Sequence, residues 1–81
     1  MYYLYIVKCA DKTLYTGITV DLPRRIKEHN FTRRGAKYTR ARRPVKLIYS
    51  KKFRNRSLAS KAEYKIKKLS KQEKEKIIKK S

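Results

Sequence analysis

The 81-residue sequence predicts a small mixed α/β (α+β) fold with the element order β-β-α-β-α-α. Three observations carry that expectation. Two runs of aromatic and branched residues, Tyr2 to Cys9 and Thr13 to Ile18, flank a short polar turn, as the arms of a β-hairpin do. Helix-start signals recur at Asp21-Leu22-Pro23, at Ser57 and at Ser70-Lys71-Gln72-Glu73. Between the first two of these, Val45 to Lys51 alternates like a strand. No internal repeat or linker-like stretch interrupts the chain, so residues 1–81 read as a single domain with a small core.

The hairpin comes first. A two-residue turn at Asp11-Lys12 would send Tyr5 and Tyr15 to opposite faces, whereas a three-residue loop pairing Cys9 with Thr13 puts both on one face. We favour the three-residue loop. Gly17 marks a bulge, a close backbone approach to a ligand, or simply the strand's end. Asp21 is a good N-cap and Pro23 suits the first turn, so a helix is expected from about Leu22 to Asn30, with Leu22 and Ile26 on its packed side and Glu28 facing outward. Phe31 to Pro44 reads as a basic loop. After the third strand, opened by Pro44, Ser57 is expected to cap a helix whose core face is Leu58, Ala62, Ile66 and Leu69. The capping box at Ser70 starts a last helix that buries Ile77 and Ile78. Tyr2, Tyr3, Tyr49 and Tyr64 are assigned to packing.

Charge narrows the partners. With 25 Lys and Arg against 6 Asp and Glu the formal charge is +19, which repels itself unless a polyanion neutralises it. Nucleic acid is the expected partner, ahead of an anionic membrane surface. A single cysteine, Cys9, excludes an intramolecular disulfide and any cysteine-built zinc site, and reads as a small buried strand residue. No apolar run approaches the roughly 20 residues that span a bilayer. Met1 leads straight into Tyr2-Tyr3-Leu4-Tyr5 without the pattern of a signal peptide, so a cytoplasmic location is expected.

Several residues are placed for chemistry. The end of the second strand and the first turns of the next helix meet at one sheet corner, where Tyr15, Arg25 and His29 converge; Arg25 and His29 share a helix face at i, i+4. The bland reading of His29 is a helix-end residue bonded to backbone. Arg33, Arg34, Lys37, Arg40, Arg42 and Arg43 surround Tyr38, a mixture that grips phosphates and stacks on a base, or else a merely solvated loop. Among the few acids, Glu63 sits at the edge of the apolar stripe of its helix. It either leans toward Tyr15 and Arg25 as an anchor for Mg²⁺ or pairs with Lys67 at i+4.

These residues together resemble the GIY-YIG nuclease family. Tyr3-Leu4-Tyr5 is similar to its first motif and Tyr15-Thr16-Gly17 to its second, followed by Arg25, His29 and, on a later helix, Glu63. Tyr3 stands where the first motif has glycine and Thr16 where the second has isoleucine, and an asparagine found near the site of some members has no counterpart after Asn55. Small stand-alone members also carry a stretch like Gly35-Ala36-Lys37-Tyr38-Thr39. The resemblance implies a three-stranded antiparallel sheet flanked by helices and a phosphodiesterase cutting nucleic acid, DNA rather than RNA, with Mg²⁺ or Mn²⁺ on Glu63. It further implies a phosphate-stabilising Arg25, a tyrosine base (Tyr5, with a hydrogen-bonded Tyr15 as substitute) whose pKa neighbouring cations would have to lower, and an orienting or proton-relaying His29. The alternative is a non-catalytic nucleic-acid-binding module on the same fold.

Overall fold

The computed structural model describes residues 1–32 and 34–80. In chain order it contains β1 (Tyr2–Lys8), β2 (Leu14–Thr19), α1 (Leu22–Phe31), α2 (Lys37–Arg40), β3 (Lys46–Phe53), α3 (Arg56–Lys67) and α4 (Lys71–Lys80). The strands form one antiparallel sheet in the order β2-β1-β3. Because β1 is central, its two faces are both covered, and Leu4, Tyr5, Ile6 and Val7 are all buried. Tyr5 and Val7 face a cluster with Cys9, Val45, Tyr15, Leu22 and Ile26, which is the α1 side. Leu4 and Ile6 face the opposite cluster, where Ile66, Leu69, Ile77 and Ile78 bring in α3 and α4. No described helix is long and apolar enough to cross a membrane.

The hairpin register is the expected one. The Cys9 N–H donates to the Thr13 carbonyl at 2.8 Å and the Lys12 N–H to the Cys9 carbonyl at 2.9 Å. Lys12 adopts a left-handed φ of 69°, which closes the three-residue loop and carries the strand twist through it. Val7 then pairs with Tyr15 and Tyr5 with Gly17, so both tyrosines share the α1 face. Asp21 caps α1 by accepting from the Arg24 N–H at 3.2 Å. Ser70 and Glu73 form the reciprocal capping box at 3.1 and 3.2 Å.

Four expectations are corrected. The basic loop contains the short helix α2, because Gly35 crosses tightly over α1: a Cβ there would lie 2.7 Å from the Glu28 carbonyl oxygen and 2.8 Å from the His29 Cα. The cap of α3 is Asn55, whose side chain accepts from the Leu58 N–H at 3.0 Å, and not Ser57. Ala59 is buried where Leu58 was expected, Leu58 being 46% exposed, while Ala62, Ile66 and Leu69 pack on the sheet as expected. Tyr64 does not pack in the core, since it lies on the outer side of α3 and is 62% exposed. Glu28 is drawn against the protein by Arg24 and Arg25, at 3.4 and 3.0 Å.

One side chain replaces a missing strand partner. Asn30 donates through Nδ2 to the Val45 carbonyl at 3.1 Å and accepts the Val45 N–H on Oδ1 at 2.7 Å, tying the end of α1 to the entry of β3. Val45 is buried, so neither of its backbone groups finds water if that side chain is lost. We expect Asn30→Ala to cost about 2 kcal/mol and to lower the melting temperature by roughly 10 °C, measured by thermal unfolding followed by circular dichroism. A shift within about 2 °C would show that Val45 is held by other means.

Candidate active site

Tyr5 is delivered by the central strand and His29 by the last turn of α1, and they meet under the α1 side of the sheet. Gly17 makes room for them. A Cβ at that position would lie 2.5 Å from the Tyr5 hydroxyl and 2.7 Å from its ring, so the glycine serves a close approach and not simple strand termination. The Tyr5 hydroxyl lies 2.7 Å from His29 Nε2. On the other side of the ring, His29 Nδ1 lies 2.8 Å from Thr39 Oγ1, and the Thr39 hydroxyl donates to the Ala36 carbonyl at 2.9 Å. Having spent its proton there, Thr39 Oγ1 accepts from Nδ1–H, which leaves Nε2 bare to accept from Tyr5. The 3.4 Å approach of the Ala36 N–H to the same Nδ1 is the longest contact of the set and yields to that shorter pair.

Burial decides the charge state of this chain. His29 and Thr39 are 0% exposed and Tyr5 is 1% exposed. Desolvation, helped by the charge of Arg25, depresses His29 to a pKa of about 4. Desolvation also pushes Tyr5 up to about 12, although Arg25 beside the hydroxyl works in the opposite direction. The expectation that cations lower the Tyr5 pKa is therefore corrected: burial outweighs them. At neutral pH the pair is a neutral phenol donating to a neutral imidazole.

Arg25 is the cation placed beside Tyr5 at this corner. Its Nη1 donates to Glu28 Oε1 at 3.0 Å and to the Arg34 carbonyl at 2.7 Å, which fixes the guanidinium beside Tyr5. The hydrogen bond from Arg25 holds the Glu28 carboxylate below its ordinary range. Tyr15 meets the His29 ring edge-on, with centroids 5.4 Å apart and an interplanar angle of 64°, not through the expected hydrogen bond. Of the two readings offered by the sequence for Glu63, the pair with Lys67 is formed. Glu63 Oε2 is 3.3 Å from Lys67 Nζ, and the Glu63 charge is also felt at Tyr5. Among the described residues no group of three or more His, Cys, Asp or Glu gathers to hold a metal. A lone carboxylate, 22% exposed, suits Mg²⁺ or Mn²⁺, which take one or two protein ligands and complete the shell with water and phosphate oxygens; it does not suit a zinc or calcium cage.

The basic segment divides into structural and exposed cations. Arg43 donates through Nε to the His29 carbonyl at 2.6 Å, and its Nη2 reaches the Glu28 and Thr32 carbonyls, closing the C-terminus of α1. Arg42 pairs with Asp11 at 2.9 Å, donates to the Tyr38 carbonyl at 2.8 Å and stacks 4.0 Å above the Tyr38 ring. Tyr15 stacks on Tyr38 with centroids 5.8 Å apart at 25°, so the ring is held by two partners while 38% of the residue stays exposed. Arg34, Lys37 and Arg40 remain exposed. Arg33 lies outside the described residues. Sequence reasoning missed Thr39, although the stretch from Gly35 to Thr39 had drawn notice; its hydroxyl acquires a role only when Gly35 folds the segment back over α1.

Because the folded His29 pKa lies below the unfolded value near 6.5, the unfolded chain binds the extra proton between those limits. The stabilisation is complete above about pH 6.5 and is lost as pH falls toward 4, a change of roughly 3 kcal/mol. As His29 is the sole histidine, its ring proton signals are unambiguous in an NMR titration and should move near pH 4. Titration near 6.5 would show that the ring is not enclosed.

The chain matches the family model described as the GIY-YIG catalytic domain over residues 1–76. It is 56% identical over 80 residues to the UPF0213 protein DP2720 of Desulfotalea psychrophila, covering 99% of this chain and 73% of that protein. The solution NMR structure of the UPF0213 protein BH0048 from Bacillus halodurans superposes with a TM-score of 0.63 at 42% identity, covering 98% of this chain and 84% of that one. That of the protein EF2693 from E. faecalis gives 0.67 at 46% identity, covering 98% and 83%. With its whole sheet, Tyr5, Tyr15, Arg25, His29 and Glu63 all inside the matched span, the chain belongs to the GIY-YIG nuclease family.

Proposed function

We propose that this chain is a single-domain, metal-dependent endonuclease that hydrolyses phosphodiester bonds in DNA, with Tyr5, Arg25, His29 and Glu63 as its working residues and Tyr15 as a wall of the site. The observation that carries this reading is the buried Tyr5–His29–Thr39 hydrogen-bond chain ending beside Arg25. A structural hydroxyl needs no second, neutral proton acceptor held in one tautomer behind it.

The chain's own groups divide the work. A water positioned at the Tyr5 hydroxyl gives its proton to the phenol oxygen as the phenol passes its own proton to His29 Nε2, so Tyr5 never carries a standing negative charge. Thr39 keeps Nε2 as the accepting nitrogen throughout. Arg25 offers its guanidinium to the oxygens of the scissile phosphate, where paired hydrogen bonds strengthen as charge develops. Glu63 would hold the Mg²⁺ or Mn²⁺. When bound, such an ion supplies Lewis-acid polarisation of the phosphate and charge neutralisation at the leaving oxygen. Exchange of the Lys67 pair for the ion leaves the lysine near the Tyr15 ring, 6.0 Å from its centroid, available to a flanking phosphate.

Two tests separate catalysis from binding. Glu63→Gln keeps the side chain's size and loses its charge, so cleavage of plasmid and branched DNA with Mg²⁺ should fall at least 100-fold while affinity holds or rises. Arg25→Ala should cost about 100-fold in rate and far less in affinity. A Gln variant that cleaves like the parent ends the Glu63 assignment, and a parent that cleaves no DNA with any divalent metal replaces the enzyme with the binding module. Affinity itself should weaken with salt, by about 0.9 in log–log slope per phosphate neutralised on duplex. Replacing Arg34, Lys37 and Arg40 together by alanine should flatten that slope by about 2 to 3, and an unchanged slope would remove them from the interface.

A further inference from the structure

Helix α3 carries more than Glu63. Its inner side sets Ala59 and Ile66 against the sheet, and Glu63 turns toward Tyr5. On the outer side Ser57, Ser60, Lys61, Tyr64 and Lys65 line an open groove of about 370 Å³. Tyr64 is 62% exposed, a cost the fold accepts without any packing return. Lys68 Nζ sits 4.2 Å from its ring centroid and holds the ring by a cation–π contact while leaving the groove side open. No acid lines this groove, and the one acid of α3 is occupied with Lys67.

We propose that this face is a nucleotide subsite, in which an unpaired base of the substrate stacks on Tyr64 while Lys61 and Lys65 hold the adjacent phosphates. The inference rests on the nuclease reading only for placing a strand at the neighbouring Glu63. Its chemistry follows from the groove. An exposed aromatic ring among lysines and hydroxyls is the mixture that tracks single strands, because every base offers a π-face and every linkage a phosphate. A base inside a duplex has both faces covered by its neighbours and cannot take this position. Tyr38, the other tyrosine of a basic segment, is engaged by Tyr15 and Arg42 and is 38% exposed, whereas Tyr64 is 62% exposed and has no aromatic partner among the described residues. The substrate class is thereby narrowed to nucleic acid with unpaired nucleotides flanking the scissile phosphate, such as a tail or flap.

The test measures binding in a chelator, with a blunt duplex and the same duplex carrying a single-stranded tail that contains 2-aminopurine. Tyr64→Ala should weaken binding of the tailed duplex about 10-fold and abolish quenching of the fluorescent base, with the blunt duplex unchanged; Tyr64→Phe should keep both. Lys61→Ala with Lys65→Ala should reduce the salt slope on the tailed duplex by about 1.4. Equal effects of Tyr64→Ala on both duplexes, or none on either, would overturn the subsite. Cleavage with Mg²⁺ is scored separately. A Tyr64-dependent preference for the tail without cleavage keeps the subsite and removes the nuclease, whereas cleavage without that preference removes the subsite alone.

Discussion

An imidazole sealed from water must find a partner for each ring nitrogen inside the protein, and in this chain that requirement is met from three separate elements. β1 brings Tyr5, α1 brings His29 and α2 brings Thr39. Each partner depends on a glycine for its access. Without Gly17 the Tyr5 hydroxyl would have no space over β2, and without Gly35 the segment holding Thr39 would be pushed off α1. The hydrogen bonds themselves are worth only about 1 kcal/mol each in net stability, but a buried nitrogen left unpaired costs more than a pair gains. The fold therefore cannot relax one partner without exposing or orphaning the ring, which is why the geometry at Tyr5 is held so firmly in so small a domain.

Charge is managed with the same economy. At +19, the protein has few acids with which to neutralise its cations, and it turns instead to neutral acceptors. Arg43 is absorbed by three carbonyls at the end of α1, and Arg25 by the Arg34 carbonyl as well as Glu28. A guanidinium suits this use because its planar fork reaches several oxygens at once. Those arginines become girders, while the lysines, whose compact charge prefers water, remain on the outer faces of α3 and α4. The surface left for a polyanion is thus richer in lysine than the sequence of the basic segment suggests.

The architecture was legible because its signals are local. The capping box at Ser70, the Asp21 cap and the register of the hairpin each depend on residues a few positions apart, and all stand in the structure. Tyr5, Tyr15, Arg25 and His29 were legible for the same reason, since one hairpin and the next helix bring them together. What was not legible depends on contacts between distant segments. Asn55 and Ser57 are both good caps two residues apart, so the local sequence does not choose between them as the start of α3. The length of Phe31 to Pro44 hid a single helical turn, because four residues carry no periodicity to detect. Tyr64 is assigned to packing from its type alone, although its place midway between Ala62 and Ile66 sets it on the far side of the helix from both.

The protonation states at the site bear on how the nuclease reading must work. A phenol raised to about 12 and an imidazole depressed to about 4 are far apart in acidity, so the proton stays on Tyr5 in the resting protein. The pair is consequently silent without substrate. Transfer becomes accessible only when the phenol oxygen gains a proton from the attacking water in the same step, so that no tyrosinate forms. The net product of that step is an imidazolium beside a phosphate that has just gained negative charge. Burial that raises the cost of either charge alone also strengthens their attraction. The dry environment thus suppresses ionisation at rest and favours it in the one arrangement where the opposite charge is present.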